Sequence, residues 1–177
     1  MDRLVGNKGV LIKFVDDFIK VVDGQKIRYA LVSGIVAILL GRSRGTEDVD
    51  LIIERISKKR FEKLHADLEE NGFECIQVKK PNALYEDYLL ENTSVRYVRI
   101  GEFVPEMELK FSKDPLDEQQ LEERTRLSRT GTNYFFSSIE TNIAFKEELL
   151  KSPKDLQDSG HLRMLYSADV DEDKFLK

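Results

Sequence analysis

Residues 29–54, YALVSGIVAILLGRSRGTEDVDLIIE, constrain what this chain can fold into more than any other stretch. They read as a strand, a small-residue turn at Ser33-Gly34, a short apolar helix, a polar loop and a second strand carrying Asp48 and Asp50. Alternate residues of a strand share a face, so the two carboxylates project side by side with Cα atoms about 7 Å apart. Val49, Leu51, Ile52 and Ile53 are apolar enough to put that strand in a core. Two like charges beside a core repel and lose hydration, which is costly unless a cation compensates. The ordinary compensator is a divalent metal with hard oxygen ligands, whose coordination a phosphate would complete. An isolated Asp-x-Asp is common on strand edges. Here the pair closes a whole strand–turn–helix–strand unit, and that context favours the metal reading.

Composition narrows the setting. With 177 residues, 41% hydrophobic and 34% charged, residues 1–177 suit a single domain with a sizeable core. A net charge of −5 disfavours general nucleic-acid binding driven by counterion release. Cys75 is the only cysteine, so no intramolecular disulfide forms and an intracellular home is expected. The longest apolar run, around residues 31–40, is too short to span a bilayer, and the first residues lack a signal-peptide core. The expectation is a soluble cytoplasmic protein with no membrane partner.

Periodicity predicts the remaining elements. Leu11, Phe14, Val15, Phe18, Ile19 and Val22 share one helical face, with Gly24 as a stop. Strands are expected at 27–32, 47–53, 73–78, 95–100 and 107–111, and helices at 34–40 and about Phe61, Leu64 and Leu68. Residues 81–90 are ambiguous between a helical turn and an insertion. From residue 113 the chain turns mainly helical: a charged surface helix at 116–127, then a short strand or extended segment at 133–136. Ser137-Ser-Ile-Glu140 makes a capping box for a helix running to Leu150. Ser152-Pro-Lys-Asp155 opens another, with serine as cap and proline at its first position. Residues 169–177 are expected as a last helical turn or a frayed end. The predicted fold is α/β, with a short mixed sheet flanked by helices (residues 1–112) and a mainly helical C-terminal part (113–177).

The motif residues resemble the signature of the DNA polymerase β-type nucleotidyltransferase superfamily: a strand, a Gly-Gly or Gly-Ser pair, a short helix, then Asp-hydrophobic-Asp-hydrophobic. Ser33-Gly34 occupies the pair, residues 35–47 the spacer, and Asp48-Val49-Asp50-Leu51 close it. The run Gly41-Arg-Ser-Arg-Gly-Thr-Glu-Asp48 is similar to the small prokaryotic branch, which includes abortive-infection-type toxins and minimal nucleotidyltransferase antitoxins. Serine stands where the first glycine is usual. It is small enough for close backbone approach but does not adopt positive φ freely.

The resemblance implies a set of roles. Asp48 and Asp50 would bind Mg2+ or Mn2+, with a third carboxylate from the neighbouring strand acting as ligand and base. Glu108, followed by Leu109-Lys110, fits that place better than Glu106, although acids alternating with hydrophobics also suit a solvated strand. Ser33 and Gly34 would hold the β- and γ-phosphates of an NTP such as ATP at a helix N-terminus. Arg44, with Arg42 and Thr46 beside it, would add phosphate donors. A C-terminal pattern of the toxin-like branch adds Lys146, Lys154 and Asp158, although Lys146 is also placed to snorkel and Asp155 is explained by capping alone. His65 and His161 are solitary and expected on helix surfaces. No Gly-x-x-x-x-Gly-Lys-Ser/Thr loop or Gly-x-Ser-x-Gly elbow is present.

The leading expectation is metal-dependent transfer of a nucleoside monophosphate from an NTP to an acceptor hydroxyl on a protein, a tRNA or a small molecule, in a toxin–antitoxin setting with a partner protein. The rival is a non-catalytic nucleotide- or partner-binding module of the same fold.

Overall fold

The computed structural model describes residues 8–127 and 130–167, so the expectation for residues 169–177 lies outside the described residues. Helix α1 (Lys8–Gly24) leads into β1 (Tyr29–Val32), α2 (Gly34–Leu39) and β2 (Asp48–Ile53). Next come α3 (Lys58–Glu70), β3 (Phe73–Cys75), and α4 (Pro81–Leu84) running into a π-helical turn at Tyr85–Leu89. The sheet is completed by β4 (Val95–Arg99) and β5 (Glu106–Phe111). Helices α5 (Pro115–Glu122), α6 (Ile139–Ala144) with a π-helical turn at Phe145–Leu150, and α7 (Pro153–Tyr166) follow.

The strands form one mixed sheet in the order β1-β2-β5-β4-β3, in which only the central pair, β2 and β5, runs parallel. Its period-two alternation separates two faces. Leu31, Val49, Leu51, Ile53, Met107, Leu109, Tyr97 and Phe73 enter the main core, where Phe14 and Phe18 of α1 and Phe61, Leu64 and Leu68 of α3 cover them. On the other face Ala30, Val32 and Ile52 are covered by Leu121 of α5. Toward the start of β2 and β5 that face is left to charged residues. Ile139, Ile143, Leu162 and Tyr166 join the C-terminal helices to the main core. Among the described residues no helix is long and apolar enough to cross a membrane.

Several expectations are corrected here. The strand expected at 73–78 ends at Cys75 because the Gln77 side chain takes over the ladder: Arg96 N donates to its Oε1 at 2.9 Å and its Nε2 donates to Ser94 O at 3.0 Å. Helix α5 is not a surface helix throughout, since it covers the sheet's second face and buries Asp117, Gln120 and Leu121. The cap of α6 is Ser138, whose hydroxyl accepts from Thr141 N at 3.1 Å, while Ser137 is buried and its Oγ accepts from Asn142 Nδ2 at 2.7 Å. His65 is buried, with Nδ1 2.9 Å from the Tyr97 hydroxyl. His161 is half-buried against the Leu40 carbonyl at 3.2 Å. The cap at Ser152 stands as expected, accepting from Asp155 N at 3.1 Å. Residues 133–136 supply one bridge position, Phe136, which pairs with Leu31 and Thr125 and closes the outer edge of β1.

Candidate active site

The β1–α2 turn, the start of β2 and the start of β5 meet at the charged face. Register places Val32 opposite Asp50, Asp50 opposite Glu108, and Asp48 opposite Glu106. The face therefore carries Asp48, Asp50, Glu106 and Glu108 as near neighbours, interleaved with Arg96 of β4, which lies opposite Glu108, and Lys110 of β5.

Each acid has a local partner. Thr46 Oγ1 is 2.9 Å from Asp48 Oδ1 and 2.9 Å from the Asp48 carbonyl, so it shapes the entrance to β2. Asp50 lies beside the Ser33 hydroxyl, which favours its ionised form, and has Lys110 Nζ 4.0 Å from its Oδ1. Burial raises the Asp50 pKa, and the charges of Glu108 and Asp48 raise it further against the opposing pull of Lys110 and Ser33. Arg96 spans both acids of β5, 2.8 Å from Glu108 and 3.5 Å from Glu106.

Ser33 adopts φ 66° and ψ −132°, a region that favours glycine. The usual glycine of the motif thus corresponds to a positive-φ residue here, and serine occupies it under strain. Gly34 matters for another reason: a Cβ there would lie 2.5 Å from Arg44 Nη2, so the guanidinium would have to shift. The Arg44 guanidinium lies directly on the turn.

Behind Arg44 is a buried charge cluster. Arg44 grips Asp158 with two hydrogen bonds, Nε to Oδ1 at 3.1 Å and Nη2 to Oδ2 at 2.8 Å. Arg42 reaches Asp158 Oδ1 at 3.3 Å and Gln157 Oε1 at 2.6 Å. Lys146, 1% exposed, sits 3.1 Å from Asp158 and 3.2 Å from Asp155. Asp158 is fully buried. Burial pushes its pKa up, but the hydrogen bonds and charges of Arg44 and Lys146 outweigh that and hold it below the usual aspartate range. Lys154 is exposed on the first turn of α7 and lies outside the cluster.

Of the residues singled out by sequence, Ser33, Gly34, Asp48, Asp50, Glu106 and Glu108 are brought together, with Thr46 at their edge. Arg44, Lys146 and Asp158 are joined to one another, and Arg44 links that group to the turn. Sequence reasoning did not find Arg96 and Lys110 as counter-cations of the acids. Lys110 had a signal in its place two residues after Glu108, whereas Arg96 is visible only once β4 is set beside β5.

Whether a divalent ion fits depends on the donors and their present arrangement. Four carboxylates on one face are hard oxygen donors suited to magnesium or manganese. Among the described residues, however, no three His, Cys, Asp or Glu side chains are gathered closely enough to hold an ion as they stand. The donor chemistry fits; Arg96 and Lys110 take part of the charge that an ion would take.

No known family model and no curated protein matches the chain. Solved structures do. An antigenic nucleotidyltransferase-like protein from Paracoccidioides brasiliensis is similar over 85% of this chain and 75% of its own, with 23% identity and a TM-score of 0.52. ANT(2'')-Ia, in complex with adenylyl-2''-tobramycin, is similar over 94% of this chain and 93% of its own, with 14% identity and a TM-score of 0.58. The solution structure of the antibiotic-resistance factor ANT(2'')-Ia covers 92% and 88%, with 14% identity and a TM-score of 0.56. At such identities the likeness is one of fold. The chain has the nucleotidyltransferase fold, a five-stranded mixed sheet flanked by helices.

Proposed function

We propose that this chain transfers a nucleoside monophosphate from an NTP to an acceptor hydroxyl, with Asp48, Asp50 and Glu108 as its acidic centre. The observation that carries the reading is the register of β1, β2 and β5. It sets these acids side by side on one face of the sheet, beside a strained Ser33-Gly34 turn with Arg44 lying on it. Magnesium or manganese held by the three acids would supply the positive charge that offsets the triphosphate and the developing negative oxygens.

The chain's own residues then have distinct tasks. Arg44 offers the triphosphate a planar donor, oriented by the buried Asp158, which acts as a positioning residue. Lys146 neutralises Asp158 from behind, and Lys154 is exposed on the first turn of α7, the helix that carries Asp158. The Ser33 hydroxyl favours the ionised form of Asp50, and Thr46 fixes the rotamer of Asp48. In the transfer, the acceptor oxygen bonds to the α-phosphorus, the bond from that phosphorus to the pyrophosphate oxygen breaks, and the acceptor proton passes to Glu108. The acceptor is a protein, a tRNA or a small molecule, and a toxin–antitoxin partner protein belongs to this reading through the motif resemblance alone.

One observation favours the rival reading of a nucleotide-binding module without turnover: Glu108 is held by Arg96 at 2.8 Å. Incubation with NTPs labelled at the α-phosphate and fractionated acceptors, followed by mass spectrometry, separates the two. Transfer by the wild type, lost in Asp50→Asn, supports the enzyme; nucleotide binding with no transfer to protein, RNA or small-molecule fractions supports the module.

A further inference from the structure

The acidic face holds four carboxylates, Asp48, Asp50, Glu106 and Glu108, against two cations, Arg96 and Lys110. The excess is two negative charges, which a single divalent ion would cancel. The two cations are placed differently. Lys110 stands 4.0 Å from Asp50, a loose contact. Arg96 binds Glu108 at 2.8 Å and reaches Glu106 at 3.5 Å, so one guanidinium spans the two acids of β5. It does so from directly across the strand pair, where the register sets Arg96 opposite Glu108.

A guanidinium spanning two carboxylates occupies the donor atoms and supplies the charge that a metal would otherwise supply. The Glu108 oxygen that faces Arg96 at 2.8 Å is not a free ligand, and among the described residues no three-acid cluster stands ready-made. The fold has little need of the pair, because the Arg96 side chain is 46% exposed and exposed cross-strand ion pairs contribute little to folding.

We infer that Arg96 is an internal stand-in for the divalent cation: it holds Glu108 and Glu106 while the site is empty and must release Glu108 for the ion to bind. The inference rests on the acidic centre proposed above and adds to it the residue that sets its affinity for metal. Metal binding at this face is then a competition between two cations for one carboxylate. Removing the internal one strengthens binding of the external one.

The test is Mn2+ binding, followed by electron paramagnetic resonance in the presence of a non-hydrolysable NTP, for wild type, Arg96→Gln, Arg96→Met, Asp50→Asn and the double variant Arg96→Gln/Glu108→Gln. Thermal unfolding without metal checks that each is folded. Arg96→Gln and Arg96→Met are expected to bind Mn2+ about tenfold more tightly, the effect of removing one competing charge at close range. The double variant should return to wild-type affinity or weaker, because the released ligand is gone. If both Arg96 variants bind Mn2+ no better than wild type while Asp50→Asn binds it worse, the metal centre stands and the role given to Arg96 is overturned. If tightening persists in the double variant, Arg96 acts through general charge rather than by holding Glu108, and the inference falls. No Mn2+ binding by any of them overturns both the acidic centre and the role of Arg96.

Discussion

The acidic face of β2 and β5 and the cationic cluster behind Arg44 both adjoin the Ser33-Gly34 turn, yet they hold their charges in opposite ways. The face has acids in excess, with Asp50, Glu106 and Glu108 half-buried and Asp48 exposed, only partly neutralised by Arg96 and Lys110. The cluster sets Arg42, Arg44 and Lys146 against Asp155 and the fully buried Asp158, with cations in excess. One region is short of positive charge and open; the other is rich in it and closed. Burial alone would raise the pKa of both Asp50 and Asp158. Asp50 does titrate high, because its nearest acids reinforce burial, whereas Asp158 does not, because Arg44 and Lys146 overrule it. Under the proposed function, the open region would face a metal and the Arg44 edge of the closed one the phosphates.

The comparison predicts opposite responses to acid. Asp158 has its folded pKa depressed, so its contribution to stability is present above the unfolded pKa and lost as pH falls through the folded one. Asp50 has its folded pKa raised, so its stabilising neutral form is fully present below the unfolded pKa and lost as pH rises through the folded one. The largest expected effect comes from breaking the closed region. Asp158→Ala leaves Lys146 and Arg44 buried without their main carboxylate and should cost about 3–5 kcal/mol in denaturant unfolding. A loss under about 1 kcal/mol would mean that the cluster relaxes to solvent and does not position Arg44.

Next in size is Gly34→Ala. Its Cβ would meet Arg44 Nη2 at 2.5 Å. An arginine tip ordinarily swings aside at little cost, but this one is tied to Asp158 through two hydrogen bonds. Overpacking of this kind costs about 1–3 kcal/mol. The more telling readout is ligand binding: displacement of Arg44 should weaken binding of NTP while sparing the bare nucleoside. Equal losses for both would show that the turn, rather than the guanidinium, is what the alanine disturbs.

How much of this was legible in the sequence depends on separation along the chain. The strand–turn–helix–strand unit was legible because its determinants are adjacent: alternation in β2, small residues in the turn and an unbroken apolar run in α2. The acids of β5 were legible by alternation with Met107, Leu109 and Phe111. The partner of Arg44 was not, since Asp158 lies on α7 and no local pattern joins them. A one-residue slip separated the expected cap of α6 from the actual one, because two adjacent serines read alike and only their partners distinguish them: Thr141 N donates to Ser138, Asn142 Nδ2 to Ser137. His65 looked like a surface residue because the polar neighbours on α3 mask its hydrogen bond to Tyr97. Arg96 pointed nowhere until the register of β4 and β5 was known.

Within the open region, Asp50→Asn should reverse the sign seen for Asp158. It removes one of several repelling acids and a carboxylate whose ionised form burial disfavours, so the metal-free protein should gain about 1 kcal/mol at neutral pH, the scale of a like-charge cross-strand clash. The gain should shrink as pH falls, because the wild-type carboxyl then protonates and the repulsion ends. Magnesium or manganese with NTP should raise the melting temperature of the wild type and have a smaller effect on the variant. Thermal unfolding at several pH values, with and without ion, reads all of this. A variant less stable than wild type throughout would mean that the Asp50 contacts with Ser33 and Lys110 outweigh the repulsion.

The smallest effect is expected at Ser33, where the two regions meet. Serine at φ 66° and ψ −132° carries backbone strain of about 1–3 kcal/mol, and glycine would relieve most of it. Glycine also loses more chain entropy on folding, about 0.5–1 kcal/mol, and forfeits the polar interaction of the hydroxyl with Asp50, worth at most about 0.5–1.5 kcal/mol. The terms nearly cancel, so Ser33→Gly should change stability by less than about 1 kcal/mol in either direction. Ser33→Ala keeps the strain and still loses the hydroxyl's interaction with Asp50, so it should be the less stable of the two. Both substitutions should move the Asp50 carboxyl titration, followed by carbon-13 NMR, to higher pH, because the Ser33 hydroxyl is one of the groups that lower its pKa. An unmoved titration in both variants would show that Ser33 does not support the ionised Asp50. Alanine equal to glycine in stability would show that the turn stores no strain for the site to use.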